Sequence, residues 1–84
     1  MKRRSPFEAL PGIGPSLARD LEDLGFRVVA DLGGADPDKM HARLERLRGA
    51  YQDRCVLYAF RCAVYAATAK RPHPERLKWW NWKD

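Results

Sequence analysis

The stretch LPGIGPSLARDLEDLG, residues 10–25, sets two of the chain's six glycines around one isoleucine, directly after a proline. Glycine gives up side-chain contacts and costs backbone entropy, so such a pair marks a tight turn or a close approach to something else. On the C-terminal side, Gly14-Pro15 opens a helix that carries Leu17, Ala18, Leu21 and Leu24 at helical spacing and stops at Gly25. On the N-terminal side, Ser5-Pro6-Phe7-Glu8 has the pattern of a capping box with proline at the first helical position. That pattern predicts a short helix from Pro6 to about Leu10, ended by Pro11-Gly12. Two helices joined by a tight turn therefore open the chain.

The rest reads outward in the same terms. Phe26, Val28, Val29 and Leu32 form one helical turn before Gly33-Gly34. Asp36-Pro37 starts a helix with Met40, Leu44 and Leu47 on one face, stopped at Gly49. The longest helix, residues 52–69, is apolar on nearly every side and should be the element around which the others pack. Pro72 and Pro74 end it, and Glu75 to Trp82 forms a last short helix or an ordered tail. No segment alternates with period two. The expectation is an all-α, compact single domain of about five to six helices. Its parts are a flexible basic N-terminus (1–4), a hairpin (5–24), a second helical pair (25–49), the central helix (52–69) and a Trp-rich C-terminal segment (72–84).

Eighty-four residues leave no room for a second core, and an apolar share of 45% argues against disorder. The basic start lacks the apolar run of a signal peptide, and no uncharged run nears the ~20 residues of a membrane span. Two cysteines are too few for a secreted disulfide scaffold, so a cytoplasmic protein is expected. The net charge of +5 is unevenly spread: residues 1–38 hold five cations against seven carboxylates, and residues 39–84 hold eleven against four. A polyanion would be drawn to the second half, whereas the glycine turn lies in the first.

The two short helices joined by LPGIG, with Ala18 four residues past Gly14, resemble the helix-hairpin-helix motif. The following GFRVVADLGGADPDKM looks like the turn and helix that often accompany it. With DRCVLYAFRCAVYAA and the closing LKWWNWKD, nearly the whole chain is similar to small bacterial helix-hairpin-helix proteins of the pathogenicity-locus family, sometimes grouped with mitomycin-resistance proteins. The resemblance implies the fold and, by extension, non-specific DNA binding; it implies no activity.

A physical reason for DNA binding stands beside the resemblance. A Pro-Gly-x-Gly turn exposes successive N–H groups, and the second helix adds its unsatisfied N-terminal donors and positive dipole end. Gly12 and Gly14 would let a phosphate approach, Ile13 would hold the turn from inside, and Ser16 and Arg19 are the nearest polar and cationic side chains. Binding members of the wider superfamily commonly carry a cation just after the second glycine. Here Pro15 and Ser16 stand there, and Asp20, Glu22 and Asp23 follow Arg19. The alternative is a structural turn in a protein-interaction or homodimerisation module.

Other residues carry paired readings. Arg54, Tyr58, Arg61 and Tyr65 share one helical face, which suits either a single-strand groove or half-buried tyrosines with arginines passing over them. Lys39, Arg43 and Arg46, with Arg48 close by, form a basic stripe that is either a solvated face or an electrostatic footprint for nucleic acid. Cys55 and Cys62 are ~10 Å apart along one helix, too far for a mutual disulfide. With Ala59 and Ala66 they make a small-residue seam for the core or for a dimer. Trp79, Trp80 and Trp82 either seal the small core with Leu77 or offer a partner-binding or base-stacking surface between Lys78 and Lys83. No nucleophile motif, carboxylate pair or histidine cluster points to catalysis, to a metal, to a cofactor or to a small-molecule substrate. A non-enzymatic DNA-binding module is the leading expectation.

Overall fold

The computed structural model describes residues 5–83; the expected flexible basic stretch 1–4 lies outside the described residues. Three α-helices carry the fold: α1 (Pro15–Asp23), α2 (Pro37–Arg48) and α3 (Arg54–Thr68). Four single-turn 3-10 helices join and flank them, at Pro6–Ala9, Val29–Leu32, Pro74–Leu77 and Trp79–Trp82, and no strand occurs among the described residues. Against the expectation of five to six helices, the remaining segments are these four-residue turns. Each is too short to repay helix nucleation, so the tighter i→i+3 pattern is the one that closes.

Local chemistry sets the boundaries. The Phe7 N–H donates to Ser5 Oγ at 3.3 Å and the Ser5 N–H donates to Glu8 Oε2 at 3.1 Å, satisfying two donors at the first turn. Asp36 accepts from the Asp38 N–H at 2.9 Å, and Asp53 accepts from the Cys55 N–H at 2.8 Å, so α2 and α3 each begin at a carboxylate cap. α1 ends in a Schellman arrangement: Phe26 N–H reaches the Leu21 carbonyl at 3.1 Å and Gly25 N–H the Glu22 carbonyl at 3.0 Å. Gly25 sits at φ 101°, a backbone conformation that strains any residue with a Cβ.

Phe7, Leu10 and Ile13 from the N-terminal turn, Leu21 from α1, Leu44 from α2 and Phe60 from α3 meet in one buried cluster. α3 is central, touching α2, the Val29–Leu32 turn and both C-terminal turns. A Cα radius of gyration of 12.1 Å equals the ~12 Å of a compact chain this long. Leu47 departs from the expected face of α2 and is 53% exposed, while His41 is buried in its place. The His41 Nε2–H donates to the Gln52 carbonyl at 3.0 Å, tying the start of α3 back to α2.

The small-residue seam divides as well. Ala59 and Cys62 are buried in the chain's own core, Ala66 is half-buried and Cys55 is exposed. Little of that seam remains for a second copy.

Candidate nucleic-acid interface around the glycine turn

Leu10, Pro11, Gly12 and Ile13 form a type II turn, closed by the Ile13 N–H on the Leu10 carbonyl at 3.3 Å. Proline at its second position fixes φ, and Gly12 at the third takes φ 77°. Gly12 also has a neighbour from the far end of the chain: a Cβ there would stand 3.1 Å from Trp79 Cδ1 and 3.2 Å from Trp79 Cβ. The close approach signalled by this glycine is thus to an indole. Ile13 is buried beneath the turn.

Gly14 is different. Its backbone is extended (φ −93°, ψ −174°), a conformation open to any residue, and nothing lies within 4 Å of where a Cβ would be. It is the N-cap of α1 without a side-chain cap, and Pro15 follows. The N–H groups of Gly12, Gly14, Ser16 and Leu17 find no acceptor among the described residues. Ser16 and Arg19 are exposed beside them. Backbone donors and a positive dipole end therefore face open space.

The carboxylates of α1 are largely spoken for. One Arg48 nitrogen, at the end of α2, lies 2.7 Å from Asp20 Oδ1 and 2.7 Å from Asp23 Oδ2. The hydrogen bonds it donates to Asp20, then to Asp23, hold the guanidinium more firmly protonated than usual. Arg43 donates to the Leu24 carbonyl at 2.9 Å, where α1's negative dipole end lies. Of the expected basic stripe, Arg43 is therefore committed to the fold, whereas Lys39 and Arg46 are exposed and form no ion pair among the described residues.

The aromatic face of α3 is engaged with itself and with the C-terminus. Arg54 and Arg61 each hold their guanidinium carbon 5.7 Å from the Tyr58 ring centre, and Arg54 Nε donates to Tyr58 Oη at 3.3 Å. Arg61 also donates to the Trp82 carbonyl at 2.9 Å and lies 3.6 Å from Asp38. Tyr65 packs on Trp82 with ring centres 5.4 Å apart, and its hydroxyl accepts from the His73 N–H at 2.8 Å. Trp82 is closed further by its own N–H on the Arg76 carbonyl at 2.8 Å and by the Arg76 guanidinium 5.6 Å from its ring. Trp79 and Trp82 are half-buried, while Trp80 is 50% exposed.

A groove of about 370 Å³ runs beside the turn, lined by Gly12, Ser16, Leu17, Cys55, Val56 and Trp79 among others. It joins the turn to α3 and the C-terminal segment, an arrangement that sequence spacing does not reveal. In it the Cys55 thiol is held above its ordinary range by its hydrogen bond to Asp53 and, less, by burial, which makes it a weak nucleophile. Among the described residues no group of three or more His, Cys, Asp or Glu side chains could hold a metal ion, and no helix is long and apolar enough to cross a membrane.

Comparison with known proteins adds the family. The model of the family described as Cdd1, pathogenicity locus, matches residues 1–84. The chain is 30% identical over 78 residues to "Mitomycin resistance protein McrB" of Streptomyces lavendulae, covering 93% of this chain and 70% of that protein. No solved structure matches it. The chain belongs to the pathogenicity-locus family, as its hairpin, cysteine-tyrosine and tryptophan segments suggested.

Proposed function

We propose that this member of the pathogenicity-locus family is a small non-catalytic helix-hairpin-helix module that binds DNA without sequence specificity. A backbone phosphate is taken by the N–H groups of Gly14, Ser16 and Leu17 with help from the Ser16 hydroxyl, and contacts of that kind ignore base identity. The observation that carries the reading is Gly14: it is an uncapped helix start with open space over it and no internal reason to lack a side chain. Arg48 reduces the electrostatic objection, because it bridges Asp20 and Asp23 and its one positive charge offsets one of the three negative charges that follow Arg19. Lys39 and Arg46 supply longer-range attraction.

Labelled duplex and single-stranded DNA, titrated by fluorescence anisotropy across a salt series, test the proposal. For about three neutralised phosphates on duplex, raising salt from ~50 to ~200 mM costs roughly 40-fold in affinity. Absence of binding at ~50 mM salt overturns the reading and leaves the module to a protein partner.

A further inference from the structure

Trp80 is the tryptophan with half its surface in water, whereas Trp82 is enclosed by Tyr65 and Arg76 and Trp79 lies on Gly12; the Trp80 indole N–H, unlike that of Trp82, meets no acceptor among the described residues. It stands edge-on to Trp79, ring centres 5.9 Å apart and planes at 87°. Because Trp79 lies on the turn, it gives Trp80 a fixed support one ring removed from Gly12. An indole face left half in water is stabilised by a planar apolar partner.

Charge selects the kind of partner. Residues 70–83 carry Lys70, Arg71, Arg76, Lys78 and Lys83 against the single carboxylate Glu75, which Lys78 meets at 3.2 Å. A surface that is aromatic, planar and cationic at once complements a ligand with flat rings and negative charge.

We propose that the exposed Trp80 face and the adjoining groove beside Gly12 form a stacking site for an unpaired base, so that the protein prefers single-stranded over duplex DNA. The inference rests on the DNA-binding reading above and specifies the form of DNA. In a duplex each base is stacked on its neighbours and cannot lie on an indole, whereas every unpaired base has a free face.

The three tryptophans all fall within residues 79–82, so intrinsic fluorescence reports this segment directly. A thymidine oligonucleotide of about 12 residues and a duplex of equal length are titrated at ~50 mM salt against wild type, Trp80→Ala and Trp80→Tyr. Expected are quenched tryptophan emission on the single strand and tighter single-strand than duplex binding. Trp80→Ala should lower single-strand affinity by ~5- to 150-fold and abolish the preference, and Trp80→Tyr should restore most of it. Duplex binding as tight as single-strand binding, or a preference that survives Trp80→Ala, refutes the stacking site while leaving the DNA-binding reading intact. Failure of both DNA forms to bind refutes the two together. A wild-type dimer that Trp80→Ala dissociates assigns the surface to a second copy of this chain and overturns the proposal.

Discussion

Replacing Gly14 by aspartate should move stability and DNA affinity in opposite directions. The backbone at Gly14 is extended and its Cβ direction is open, so the new side chain enters without strain. An aspartate at an N-cap accepts from the second or third helical N–H, which here are the unpaired donors of Ser16 and Leu17. The cap gains a few tenths of a kcal/mol over glycine, and its charge at the dipole's positive end adds about 0.3–1 kcal/mol. The sum of about 0.5–1 kcal/mol corresponds to a Tm rise of about 2–8 °C in a domain of this size. A DNA phosphate would meet a carboxylate on those same donors. At ~4 Å their repulsion is about 1 kcal/mol in bulk water and about 4 kcal/mol near a protein surface, so affinity should fall at least about fivefold. Thermal unfolding and anisotropy on one preparation read both quantities. A more stable variant that binds DNA as wild type does would refute phosphate capture at this helix start. A less stable variant would refute the cap geometry itself.

Gly12→Ala should behave as a fold defect: a left-handed φ costs a Cβ-bearing residue about 1–2 kcal/mol, and Trp79 must move, so urea denaturation should show the loss and tryptophan emission should shift. Arg48→Met should lower Tm and also weaken DNA binding, although it touches no phosphate, because it frees Asp20 and Asp23 beside Arg19; adding Asp20→Asn and Asp23→Asn should restore the affinity. The Cys55 backbone N–H, then its thiol, hold the Asp53 carboxyl below its ordinary value, so its contribution is present above the ordinary carboxylate pKa of ~3.9 and is lost as pH falls through the lower folded value. Thermal unfolding against pH should therefore show wild type ahead of Asp53→Asn at neutral pH, with the gap closing below pH ~4. Thiol titration should find Cys55 reacting in the folded protein and the buried Cys62 only on unfolding.

Much of the fold was legible because its signals are local. Each α-helix starts at a proline or a carboxylate cap and stops where a glycine or the end of the apolar pattern requires, and these act within four residues along the chain. The 3-10 character of the flanking segments was not legible, since a four-residue segment is too short for its pattern to separate the two helical periods. Leu47 misled for a related reason: periodicity places a residue on a face but does not say how far along the helix that face is covered, and here cover ends before Leu47.

The candidate site divides the same way. The all-helical class, a tight turn at Pro11-Gly12 and a helix start at Gly14-Pro15 could be read from the residues alone, because each depends on backbone preferences of adjacent residues. Long-range packing set the rest: Gly12 makes room for Trp79, Arg48 spans Asp20 and Asp23, Arg61 and Tyr65 are spent on holding Trp82, and Trp80 is left half exposed. Those pairings join residues 17 to 67 positions apart, and their energies depend on distances that exist only after α3 has brought the two ends of the chain together.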